Sequence, residues 1–152
     1  MATFPSVAAL GEAPDGTDLG YTSWHVIDQK RINMFAEATE DRQWIHVDPE
    51  AAAVGPFGTT IAHGYLTLSL LVLFTAELLA VDDVRMGVNY GLNRVRFPAP
   101  VPVDSRIRAH GELLSVEDVG EGGVQVTVKV TVEREGGTKP VCVAEALLRL
   151  YG

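Results

Sequence analysis

The sequence predicts an α+β protein in which a curved antiparallel sheet wraps one long central helix, and three observations carry that prediction. From Gly64 to Ala80 the chain is apolar on nearly every face of a helix, with strong helix formers such as Leu66, Leu71 and Leu78 and no proline. Such a helix must be wrapped on all sides. Val124 to Val132 alternates valine with Gln125, Thr127, Lys129 and Thr131, as a half-buried antiparallel strand does. Strand-like runs also fill about 84–97, 105–117 and 140–151, so four antiparallel strands follow the helix.

The elements follow in order. Residues 11–18, Gly-Glu-Ala-Pro-Asp-Gly-Thr-Asp, are turn formers, so residues 1–18 read as an irregular N-terminal segment and structure begins near Leu19. Leu19 to Ile27 has the aromatic and β-branched content of a short strand. Asp28 can cap a helix, and Ile32, Phe35 and Ala36 repeat at helical spacing as far as Ala38. Asp48-Pro49 repeats the start signal for a short alanine-rich helix that ends by Gly55-Pro56. Beyond the central helix, the stretch from Phe97 to Pro102 holds three prolines and breaks the strand pattern, while Gly120–Gly123 and Glu135–Gly137 are hairpin turns. The layout is a hot-dog arrangement, a single domain over residues 1–152. One helix cannot cover a whole sheet or protect its edges, so a homodimer formed through an edge strand is expected.

Composition sets the outer limits. At 152 residues, with 47% hydrophobic and 21% charged side chains, the chain can bury a core without a metal or disulfide. A net charge of −8 and a pI near 4.9 argue against nucleic-acid binding, which rests on basic neutralisation of phosphates. Cys142 is the only cysteine, so no intramolecular disulfide or multi-thiolate site exists, and its Val-Cys-Val-Ala setting reads as packed strand. The N-terminal Met-Ala-Thr-Phe-Pro lacks the positive opening of a signal peptide, and the expected location is cytoplasmic. Thr67, Ser69, Thr75 and Glu77 interrupt the apolar segment, which falls short of a membrane span.

The chemistry concentrates between the first two helices. Asp41 and His46 are five positions apart, a spacing that leaves them roughly 140° apart on a helix and on opposite faces of a strand. They converge only if the chain turns between them. Converged, a carboxylate and an imidazole form an acid/base device for a small reactant such as water.

Phe35, Asp41, Ile45, His46 and Ala51 to Ala53, followed by Ile61-Ala62-His63-Gly64, resemble the MaoC-like hot-dog family of (R)-specific enoyl-CoA hydratases and acyl-thioester dehydratases. The order of elements agrees over nearly the whole chain. Two positions depart from the common motif: Glu40 stands where glycine is usual, and Gln43-Trp44 replaces Asn-Pro. The resemblance implies a hydratase that needs no cofactor or metal and acts on an acyl-CoA thioester, with Asp41 and His46 holding water between them. Asp41 is then the expected base and His46 the group that orients water and shares its proton. It also implies that the backbone N–H of Gly64 meets the thioester oxygen, at a helix start rich in unpaired donors. Trp44 and Phe57 are the aromatic candidates for the substrate site. Arg94 and Arg96, on one side of a strand, are the candidates for coenzyme A phosphates.

The rival readings are a 3-hydroxyacyl-ACP dehydratase, a non-catalytic acyl-thioester-binding module, and a thioesterase. Retention of both Asp41 and His46 weighs against a binding module. A metal site built from Asp41, His46, Asp48 and His63 has ligand atoms of usable kinds but no recognised spacing. His63 reads as structural, bonding or capping at the helix entrance, and His25 and His110 sit in strand-like runs without evident partners.

Overall fold

The computed structural model describes all 152 residues. Strand β1 (Ala2–Phe4) and helix α1 (Val7–Gly11) lead to strands β2 (Thr17–Tyr21) and β3 (His25–Ile27) and helix α2 (Gln29–Thr39). Short helices α3 (Trp44–Val47) and α4 (Pro49–Ala53) precede the central helix, which runs as α5 (Gly64–Ser69) and α6 (Leu71–Leu78). Strand β4 (Leu79–Val81) follows, then β5 (Met86–Arg96), β6 (Ser105–Gly120), β7 (Gly123–Arg134) and β8 (Cys142–Tyr151).

The main sheet has the order β2-β6-β7-β8-β5, with β3 pairing to β6 beside β2. Every pairing in it is antiparallel. Val126, Val128, Val130 and Val132 of β7 point into the core together with Ile107, Ala109 and Leu113 of β6 and Ala144 of β8, all essentially inaccessible. The period-two pattern of the sequence is therefore the pattern of burial. The β6–β7 hairpin closes through Glu121 and Gly122, both at positive φ (55° and 73°), the combination a two-residue primed turn requires.

The α2 and α4 starts are capped as the sequence predicts: Asp28 accepts from the Arg31 N–H and Asp48 from the Ala51 N–H. Four expectations are corrected. Residues 1–18 are not irregular, because β1 pairs in parallel with β4 and Leu10 of α1 is completely buried. The expected strand over 19–27 is two strands, separated after Tyr21. The central helix is not continuous: its two segments meet at Leu70, just after Ser69, whose hydroxyl donates to the Tyr65 carbonyl (2.7 Å) and competes with the helical ladder. Nor is that helix wrapped on all sides, since Tyr65 and Val72 remain 69% and 58% exposed. The uncovered side faces β5, whose Met86, Val88, Tyr90 and Leu92 are exposed as well.

Cys142 is wholly buried on β8, and desolvation pushes its thiol up to about 11. It is a small core side chain, protonated at neutral pH. No helix is long and apolar enough to cross a membrane.

Candidate active site

The turn that Asp41 and His46 require is made by two devices. Glu40, the C-cap of α2, adopts the left-handed conformation (φ 61°, ψ 15°), which ends that helix and redirects the chain. The single helical turn α3 then carries His46 inward, where it is 7% exposed, while Asp41 stays exposed. Glycine adopts the left-handed conformation freely, and Glu40 reaches it with a side chain attached.

The His46 ring is fixed at both ends of its residue. Its Nδ1–H donates to the Ile61 carbonyl (2.7 Å), which leaves Nε2 with a free lone pair. Its own carbonyl accepts from the Gln29 side-chain amide (2.8 Å), and the Gln29 oxygen accepts from the Thr60 hydroxyl (2.6 Å). Gln29 thus ties α2, α3 and the 60–61 segment together across 17 and 31 residues. Sequence reasoning missed it, since nothing local marks a glutamine for such reach. Burial holds the His46 pKa below the ordinary histidine range; the Ile61 hydrogen bond and the Asp41 charge pull the other way, and His63 adds to the lowering. His46 is therefore neutral at pH 7.

Donor atoms of Asp41, His46 and His63 all lie within 4.8 Å of one another. A water oxygen forming two hydrogen bonds of about 2.8 Å can span up to about 5.6 Å, so side-chain atoms this close are within reach of one water. A shared metal fits less well. The His46 and His63 rings face each other with centroids 3.8 Å apart and planes inclined by 24°. An imidazole binds a metal in its own ring plane, so two stacked rings cannot reach one ion without turning. Asp48, the fourth residue of that alternative, is the α4 cap.

His46 and Gly64 share the wall of a cavity of about 330 Å³, with Phe57, Thr67, Phe97 and Val141 also lining it. The Gly64 N–H has no partner within the chain. A Cβ on Gly64 would lie 2.9 Å from the Phe97 ring, so only glycine lets that backbone and ring meet.

The other sequence candidates fall elsewhere. Trp44 lies over Gly55, whose added Cβ would be 2.8 Å from its ring; it is 43% exposed and does not line the cavity. Arg94 and Arg96 do not line the cavity. Between Asn93 and Arg96 the register of β5 shifts, with Arg94 at φ 53°, so the simple alternation expected there is broken. The Arg94 side chain is 85% exposed, 3.8 Å from Glu145, and Arg96 donates to the Val95 carbonyl (2.7 Å). His25 and His110 do have partners, Glu77 (2.7 Å) and Asp18 (2.8 Å), both away from the cavity.

The curved sheet around its central helix is a hot-dog fold, and comparison with known proteins gives the class of the enzyme as a hydro-lyase. The chain belongs to the MaoC-like family: the model of the MaoC like domain matches residues 11–135. It is 57% identical over 149 residues to the 3-hydroxyacyl-thioester dehydratase Z of Mycobacterium tuberculosis, covering 98% of each chain. It is 44% identical over 140 residues to nodulation protein N of Rhizobium leguminosarum, covering 90% of this chain and 87% of that protein. The fold is similar to that of the R-hydratase PhaJ1 from Pseudomonas aeruginosa, with a TM-score of 0.74 at 24% identity, over 97% of this chain and 86% of that one.

Proposed function

We propose that this enzyme is an (R)-specific enoyl-CoA hydratase, which adds water to a trans-2-enoyl-CoA to give the (R)-3-hydroxyacyl-CoA and runs in reverse as a dehydratase. The observation that supports the reading is that Asp41 and His46 offer side-chain atoms within 4.8 Å of each other, and that His46 and Gly64, whose N–H has no partner in the chain, line one cavity. The name of the 57% identical relative supports a 3-hydroxyacyl thioester as the other reactant.

Asp41 accepts a proton from the water, while the His46 Nε2 lone pair orients it. The water oxygen bonds to C3 of the enoyl group, and the π electrons move through C2 toward the thioester carbonyl. The oxygen of that carbonyl gathers negative charge, which the Gly64 N–H stabilises; such a donor is worth about 3–4 kcal/mol of barrier. The proton taken from water is returned to C2, so one water is consumed and the acid/base pair is restored. Phe57 and Phe97 supply an apolar wall for the acyl chain. Arg94 and Arg96, open to solvent on the strand that leads into Phe97, are available to phosphate groups of the carrier. The working form is a homodimer joined along the exposed β5 edge, in the cytoplasm.

The test is a spectrophotometric hydration assay on crotonyl-CoA and a longer enoyl-CoA. Asp41→Asn and His46→Gln are each expected to lose about 10²–10⁴ in kcat while remaining folded. A wild type that hydrates neither substrate, or two folded variants with full activity, would overturn the reading. An (S)-alcohol product would sink the stereochemistry alone. Activity is expected to survive incubation with a chelator, and its loss would favour the metal alternative.

A further inference from the structure

Beneath the acid/base pair lies a second histidine with no assigned task. His63 is 2% exposed, and its Nε2–H donates to the main-chain carbonyl of Asp41 (2.9 Å), across 22 residues. Its ring stacks on the His46 ring, and the Phe35 ring lies 5.0 Å away, inclined by 58°. With Nε2 as donor, Nδ1 is an acceptor, and that atom is buried without any partner. It does not cap α5 either, although His63 occupies the cap position. A ring needed only to fill space would be phenylalanine, which has no buried lone pair to leave orphaned. The remaining bonds of the Asp41 turn are local and exposed: two of 3.4 Å, involving Thr39 and Gln43, and the Arg42–Glu37 ion pair.

We propose that His63 is a positioning residue that sets the gap between the two reacting side chains, holding the Asp41 main chain through Nε2–H and the His46 ring through the stack. Its function in catalysis rests on the hydratase reading above; the tether itself does not. Loss of the Nε2–H bond frees the Asp41 carbonyl, and a misplacement near 1 Å at a reacting group lowers rate by about 10²-fold. Because substrate contacts are left in place, the loss falls on kcat rather than on KM.

His63→Phe keeps the stacked ring and removes the donor, while His63→Gln offers an amide N–H in place of the ring. In the crotonyl-CoA assay, His63→Phe is expected to lower kcat by about 10²-fold with KM little changed, and His63→Gln to recover most of that loss. A second readout needs no activity. Trypsin cleavage after Arg42, next to the tethered carbonyl, is expected to be several times faster in His63→Phe than in wild type or His63→Gln. The third is made on wild type alone, so it stands even if a variant does not fold: nitrogen-15 spectra should show a slowly exchanging proton on His63 Nε2. A kcat for His63→Phe close to wild type, unchanged cleavage at Arg42, or a His63 Nε2 that carries no proton would each overturn the proposal. A wild type inactive on enoyl thioesters would sink the hydratase reading, and the tether would then be judged by cleavage and the Nε2 proton.

Discussion

Burial governs the proton state of His46, and a pH dependence follows from it. Its folded pKa lies below the ordinary value of about 6.5, so the folded protein binds fewer protons there than the unfolded chain. The contribution to stability is complete above about pH 6.5 and is lost as pH falls through the lowered value. If neutral Nε2 orients the water, kcat/KM depends on the folded pKa alone: it stays level from neutrality through about pH 6.5 and falls only below that. A pH–rate profile whose acid limb lies above that value would contradict the assignment. Gly64 supplies a second prediction at this scale. Gly64→Ala places a methyl 2.9 Å from Phe97, so it should destabilise by about 1–3 kcal/mol and lower kcat/KM as the ring is pushed into the cavity. Thermal unfolding with wild-type stability and activity would show that the close approach is unnecessary. That His46, Phe57 and Gly64 line one cavity agrees with their selection from sequence, where side-chain chemistry and motif spacing survive. Gln29 and the role argued for His63 were not legible there, because their partners are 17 to 31 residues away.

Helix ends decide what happens among the elements. Caps such as Asp28 and Asp48 act on amides three residues on, so α2 and α4 were readable with near-correct starts. The far end of α2 depends on Glu40 in the left-handed region, where a non-glycine residue costs about 1–2 kcal/mol. Glycine removes that cost but adds backbone entropy worth about 0.5–1 kcal/mol. Glu40→Gly is therefore expected to stabilise by up to about 1 kcal/mol, read as a higher urea midpoint with an unchanged slope. A lower midpoint would mean that the Glu40 side chain makes a contribution the backbone argument omits. In α6, Phe74 and Leu78 are wholly buried, and Leu78 approaches the sheet at Gly111, where an added Cβ would lie 2.8 Å from its methyl. That intimate contact was not legible, since a lone glycine in a strand signals several things.

At the scale of the molecule, the uncovered faces of the central helix and of β5 are complementary in character. β5 pairs only with β8, and its eleven residues leave one edge open, lined by exposed Val88, Tyr90 and Leu92. An open apolar edge of that length invites pairing, and a second copy of the chain offers an identical edge with two-fold symmetry. Sedimentation equilibrium is expected to find wild type as a dimer and the double variant Val88→Lys, Leu92→Lys as a monomer, because charged edge strands resist pairing. A monomeric wild type would remove the homodimer from the reading and leave this face for another partner.

By itself the sequence determined the long strands after the central helix, the caps of α2 and α4, and the alternating core face of β7. Each of these depends on neighbours within a few positions, through period, propensity or a local hydrogen bond. Only the tertiary structure decided the rest. The parallel pairing of β1 with β4 joins residues 77 apart, and no local pattern announces it. The break at Leu70, the shift of register in β5 and the open side of the helix depend likewise on what packs against them. The neutral state of His46, the orphaned nitrogen of His63 and the gap a water can bridge arise from burial and distance, which exist only once the chain has closed on itself.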